Sequence, residues 1–160
     1  MSRRTVAASV LALGLTLTAC TPNAALPAGD AVAHYDEVAT DIATAINRRD
    51  AWELDREQRH VRVEGGVCRY DAGVWNSTDG WTLPEDVRGE EWQAVYDAVK
   101  PVLRDHGFGT GRLALRADGS FLIARDLNGA AFTLDGRGNF HLVGAKIPLE
   151  PCTDEALGLA

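Results

Sequence analysis

Residues 112–143, RLALRADGSFLIARDLNGAAFTLDGRGNFHLV, decide the fold class. Short alternating runs are separated there by Asp118-Gly119, Asn128-Gly129 and Gly136-Arg137-Gly138, all of them turn signals. A two-residue turn at Asp118-Gly119 would put Leu113 and Leu115 on one face with Leu122 and Ala124. A three-residue turn, Ala117 to Gly119 with Gly119 left-handed, instead pairs Leu115 with Phe121 and Leu113 with Ile123. With Asn128-Gly129 as a two-residue turn, Ile123 then faces Leu134. A three-residue turn over 136–138 pairs Phe132 with Leu142 and Leu134 with Phe140. The second arrangement collects Leu113, Leu115, Phe121, Ile123, Leu127, Phe132, Leu134, Phe140 and Leu142 on one face. A slip of one residue would scatter that set, so this is the expected register of a four-stranded antiparallel meander. Arg125 then lies on the apolar face opposite Phe132, its stem packed and its head reaching solvent. An ion pair with Glu90 or Glu91 is the alternative.

Upstream, Val32, Tyr35, Ala39, Ile42 and Ile46 recur at helical spacing, with Asp30 as the expected N-cap and Asn47-Arg48-Arg49 placing positive charge at the helix end. Residues 50–60 are highly charged and read as an extension of that helix or a loop. Val61 to Trp75 reads as a strand around Cys68, Asn76 to Gly80 as a turn, and Trp81 to Gly89 as irregular. A second helix is expected from Glu90 to His106. Trp92, Val95, Tyr96, Val99, Val102 and Leu103 form its stripe, Gly107 sits past its end, and Pro101 is expected to kink or split it. The fold class is α+β: an antiparallel β-meander of about four to five strands with two helices, one packed across the sheet.

Arg3 and Arg4, the short apolar run Val6 to Leu17, and Leu17-Thr18-Ala19-Cys20 together look like a bacterial lipoprotein signal. The apolar run falls short of the ~20 residues a membrane span requires. The expected organisation is a signal peptide over 1–19, a lipidated Cys20 with a flexible spacer over 20–29, a single domain over 30–152 and a C-terminal tail over 153–160. Cys20 would carry the lipid, palmitate-type acyl chains included, that holds the chain on the outer face of the cell membrane. Beyond it only Cys68 and Cys152 remain, and they are expected to pair as a structural disulfide. Closing a loop of about 85 residues contributes about 4 kcal/mol in the chain-entropy model. Without residues 1–19, which hold two arginines and no acid, 14 basic residues face 23 acidic ones, a net charge of −9. That balance discounts nucleic acid and anionic lipid head groups as partners.

No catalytic motif follows Cys20. His34, His60, His106 and His141 lack metal-ligand spacing, so no metal and no cofactor is expected. Ser77 and Ser120 stand outside a Gly-x-Ser-x-Gly elbow. Asp105-His106 reads as helix-terminus electrostatics, and Gly107-Phe-Gly-Thr-Gly111 follows a helix, the reverse of a phosphate-binding loop. Tyr70, Trp75, Trp81 and Trp92 concentrate aromatics in a short window, giving a binding face or a set of core anchors.

Cys68-Arg69-Tyr70, the Trp75 to Trp81 segment, Pro101 to Phe108 (PVLRDHGF) and Pro151-Cys152 resemble small actinobacterial LppA-like lipoproteins. The resemblance covers most of 61–152. It implies a lipobox, a short spacer and one α+β domain with a late cysteine pair, and it brings no activity with it. The expected role is therefore non-enzymatic binding of an envelope protein, lipid or glycan. A small-molecule carrier with a pocket between the second helix and the sheet is the alternative, and a hydrolase a distant third.

Overall fold

The computed structural model describes residues 26–159. Cys20 and the expected signal segment over 1–19 lie outside the described residues. The chain opens with α1 (Ala28–Ala45), whose buried stripe Ala31, Tyr35, Val38, Ala39 and Ile42 follows the expected spacing. Its N-cap is Pro27 rather than Asp30, and Asp30 instead stands in the first turn, where a carboxylate complements the helix dipole. The helix ends at Ile46, and Asn47 turns the chain with φ 55°, so Arg48 and Arg49 lie beyond it. Residues 50–60 neither extend the helix nor form a loop. They hold β1 (Trp52–Asp55) and one 3-10 turn, capped by Asp55, whose carboxylate accepts from Glu57 N at 3.0 Å.

The expected single strand around Cys68 is three: β2 (His60–Glu64), β3 (Val67–Asp71) and β4 (Gly73–Ser77). Gly65 and Gly66 join β2 to β3 with φ of 60° and 76°, the pair of positive values that a tight hairpin turn of matching twist requires. After the irregular 81–89 segment comes α2 (Glu90–Asp105), unbroken across Pro101. It stops at His106, with Gly107 at φ 80° as expected of a left-handed stop. Then follow β5 (Arg112–Arg116), β6 (Gly119–Arg125), β7 (Ala131–Asp135), β8 (Phe140–Val143), β9 (Ala145–Lys146) and α3 (Asp154–Leu157).

The architecture is mixed α+β, with more strands than expected: six in the order β1-β4-β8-β7-β6-β5 and three in the order β2-β3-β9. The meander is present as β5 to β8, but two of its three registers differ from expectation. Arg116 pairs with Gly119, so the first turn is Ala117-Asp118, and Leu113 faces Leu122 while Leu115 faces Ser120. The β6–β7 link spans 126–130 rather than Asn128-Gly129 alone, and Leu122 faces Leu134 while Ala124 faces Phe132. Asp126 closes that link by accepting from Ala130 N at 2.7 Å. The last hairpin is as expected, Phe132 with Leu142 and Leu134 with Phe140. The core face consequently holds Leu122, Ala124, Phe132, Leu134, Phe140 and Leu142, all at most 3 % exposed. Leu115 and Leu127 are instead 69 % and 71 % exposed. Arg125 moves to the other face, exposed opposite Ala131, so neither expectation for it holds.

Leu122, Leu134, Phe140 and Trp75 form a cross-strand row on which both helices rest. Trp75 stacks on Phe140 with ring centroids 4.9 Å apart. Trp92, Val95, Val99 and Leu103 of α2 fill the helix–sheet space, none more than 9 % exposed. Trp92 Nε1 donates to Pro84 O at 2.7 Å, which fixes the irregular 81–89 segment to the helix. These α2 side chains fill the space between the helix and the sheet in which the carrier alternative would place its pocket.

The two sheets are one bent surface. Tyr70 pairs with Ala145 and Gly73 with Leu142, the same register on both sides of a bend at Ala72-Gly73 and Gly144. Gly73 has φ 122°, and a Cβ there would lie 2.8 Å from Leu54 Cδ1, so only glycine fits. Beyond the bend, Cys68 and Cys152 form a disulfide with Cα atoms 5.6 Å apart. Asp154 Oδ1 accepts from Val61 N at 2.7 Å, so the expected tail over 153–160 docks on β2 through α3.

Two stability measurements follow from this geometry. Leu122→Ala should cost about 2–5 kcal/mol in denaturant unfolding, whereas Phe121→Ala, on the opposite face, should cost well under half as much. The register expected from sequence would reverse that order. Replacing Cys68 and Cys152 by serine should lower unfolding free energy by about 4 kcal/mol, and reductant should then have no further effect on the variant.

Candidate functional site

Strand alternation puts Phe121, Thr133, Asp135 and His141 on the sheet face away from the helices. The links 117–118 and 136–139 emerge at the same end of that face, because β6 is antiparallel to both β5 and β7. There the 83–85 segment crosses the strand ends, held by Leu83 N donating to Gly136 O at 2.8 Å and by Ser120 Oγ donating to Glu85 O. The result is a cleft of about 480 Å³ whose walls include Pro84, Glu85, Phe121, Asp135, Arg137 and His141. Asp135 is committed to the turn, since its Oδ1 accepts from Arg137 N and Asn139 N, both at 2.9 Å. Burial holds His141 below the usual imidazole pKa, an effect Asp135 partly opposes. A neutral imidazole, an aromatic ring, carboxylates and one guanidinium therefore converge on an open, mixed surface. Such a set suits hydrogen bonding to a polar partner that also offers an apolar patch. Ser120 is 4 % exposed with its hydroxyl spent on Glu85 O, so it presents no nucleophile.

The aromatic quartet does not make this site. Tyr70 and Trp92 are fully buried and Trp75 is 9 % exposed, so these three are core anchors. The Tyr70 ring sits 6.0 Å from Tyr35, and burial pushes its phenol up to about 12. Trp81 alone is half-exposed, edge-on to Trp52 at 5.9 Å with the Arg48 guanidinium 4.7 Å over its ring. The cleft residues went unread in the sequence because three separate segments supply them. The one available signal was the Thr133, Asp135, His141 alternation opposite Phe132, Leu134 and Phe140.

The opposite end of the sheet gathers ionisable groups around the 126–130 link. Tyr35 Oη donates to Asp126 Oδ2 at 2.6 Å, and burial with that bond raises the phenol pKa strongly. His106, at the C-terminus of α2, lies 2.8 Å from Asp41 Oδ2 through Nε2, while Asp105 pairs with Arg104. The Asp105-His106 dipeptide is thus not a pair. The His34 ring is 5.6 Å from that of His106, and burial, then the neighbouring His106, lowers its pKa. Asp126 and Glu37 act on His34 in the opposite sense. His60 Nε2 lies 3.4 Å from Asp71. Among the described residues no group of three or more His, Cys, Asp or Glu could hold a metal ion.

No protein-family model, curated protein or solved structure matches this chain.

His34 and His141 bind a proton less firmly when folded than at the ordinary value of 6.5. The unfolded state therefore takes up more protons as pH falls through that value, and stability declines with it. Unfolding free energy should drop between about pH 7.5 and 5.5, and the double substitution His34→Gln, His141→Gln should flatten the drop.

Proposed function

We propose that this chain is a cell-envelope lipoprotein, anchored on the outer face of the membrane by lipid on Cys20, that binds another envelope component without catalysing a reaction. The carrying observation is the Leu17-Thr18-Ala19-Cys20 lipobox behind a positively charged apolar run. The Cys68–Cys152 disulfide supports it, since such bonds persist in oxidising compartments. The likeness to LppA-like lipoproteins points the same way.

The arrangement of the domain favours a particular presentation. Leu26 N donates to Asn128 Oδ1 at 3.3 Å, so the chain leaves the domain at the 126–130 link. The cleft opens at the other end of β6, a strand of seven residues that spans roughly 20 Å. A tether at one end holds the cleft away from the bilayer, toward partners in the envelope. Trp81, near the cleft end through Gly138, extends the same surface. The carrier reading would need room between α2 and the sheet, where Trp92, Val95 and Val99 are packed. A hydrolase draws support from His141 meeting Asp135 and Glu85 in the cleft, but no direct hydrogen bond joins them among the described residues.

Cys20→Ala should move the protein from the membrane fraction to the aqueous one and remove the lipid mass from the Cys20 peptide. A photo-crosslinker at Arg137 should capture a partner in intact cells, and Phe121→Asp should abolish capture without unfolding the domain. Capture from the exposed Gln58 position but not from Arg137 would reject the cleft as the contact.

A further inference from the structure

We infer that the end of the domain around Leu127, Arg69 and Lys146 is a lipid-contacting surface that seats the anchored domain on anionic head groups. The inference rests on the lipid anchor proposed above. Five residues lie between Cys20 and Leu26, and even fully extended the six steps from one to the other reach only about 20 Å. A lipid on Cys20 therefore keeps whatever surrounds Leu26 close to the bilayer, and Leu26 is bound to Asn128 in the 126–130 link.

Two independent features of that link suit an interface. Leu127 is 71 % exposed, the highest value among the exposed large apolar side chains, and it sits beside the residue that holds the tether. Cations flank it. Asn128 O accepts from Lys146 N at 2.9 Å, and Arg69 and Lys146 face each other across β3 and β9. A Cβ on Gly129 would lie 3.4 Å from Arg69 Nη1 and 3.8 Å from Lys146 Cε, so both side chains run along this link. Arg62 pairs with Arg69 on the next strand and extends the row.

The acids nearby are hydrogen-bonded, and Arg62 and Arg69 are spent on two of them, Asp71 and Glu64. Asp126 accepts from Tyr35 Oη and Ala130 N, Asp71 accepts from Arg62 and Gly144 N, and Glu64 accepts from Arg62. Lys146 is exposed and joins no ion pair among the described residues. The net negative charge argued against anionic lipid as a partner for the average surface; at this end Arg62 and Arg69 are paired with Asp71 and Glu64, which leaves Lys146 as the side chain placed to meet a head-group phosphate. Because the anchor already raises local concentration, a single leucine and one cation suffice to set orientation.

The test uses the lipidated full chain, purified from membranes and reconstituted into phosphatidylcholine vesicles with or without phosphatidylglycerol. Cys20 carries lipid and Cys68 is bonded to Cys152, so a Leu127→Cys variant takes a single environment-sensitive fluorophore. Leu115→Cys, of similar exposure at the cleft end, is the control. The label at 127 should be quenched by nitroxide lipids several-fold more than the label at 115. Lys146→Glu, or omitting phosphatidylglycerol, should lessen that quenching. Equal quenching at both positions in protein that floats with the vesicles overturns the inference and leaves the anchor intact. Protein that does not float overturns the anchor, and the inference with it. A Lys146→Cys label gives an independent reading, expected to follow 127 and not 115.

Discussion

Asp71 sits where two strands change direction together, and the domain depends on that bend. The carboxylate is 6 % exposed, accepts from Gly144 N at 2.6 Å and from Arg62 Nε at 2.9 Å, and faces His60 at 3.4 Å. A bend in a ladder weakens its strand-to-strand bonds, and a buried donor that loses its partner costs as much as a lost hydrogen bond. Gly144 N still reaches Tyr70 O across the bend at 3.1 Å, and Asp71 reinforces that donor with a shorter, charge-assisted bond. Arg59 does the complementary service, donating from Nε to Ala72 O at 2.8 Å. With register kept across the bend, Tyr70 and Cys68 turn toward Tyr35 and the helices instead of splaying away. The disulfide then ties the C-terminal segment beneath the smaller sheet, where few apolar residues are available to hold it. A small sheet of three short strands would be marginal alone.

The parts of this fold that were legible in the sequence share a property: one face is apolar and the other is not. The stripes of α1 and α2 and the Phe132, Leu134 alternation of β7 belong to this kind, and their placement agrees with the structure. β6 is different. Phe121-Leu122-Ile123-Ala124 is apolar on both faces, so its pattern cannot say which side is buried, and counting apolar residues favoured the wrong parity. Ile123, on the face away from the helices, is nonetheless 8 % exposed, which is why a strand with two apolar sides is tolerated there. β1 was missed for the opposite reason. As an edge strand it alternates Trp52 and Leu54 with Glu53 and Asp55, and its charge concealed that alternation. The aromatic quartet showed a third ambiguity: a tryptophan's apolar body serves a core and a contact surface equally well, and only the partners Phe140 and Pro84 O assign Trp75 and Trp92 to the core.

The cleft and the opposite end around 126–130 are products of topology more than of motif. In a meander successive links alternate between the two ends of the sheet, so 117–118 and 136–139 must lie together and 126–130 must lie apart from them. The residues at each end therefore converge without any sequence proximity, which is why neither cluster could be read along the chain. Asn128 illustrates the difference. Read with Gly129 it signals a two-residue turn, but in the structure its side chain accepts from Leu26 N and its carbonyl from Lys146 N. The residue that was expected to shape a hairpin instead fastens the start of the domain to the second sheet. The two ends of the strands are thereby set apart, with the polar cleft at one and the start of the domain, the exposed Leu127 and Lys146 at the other.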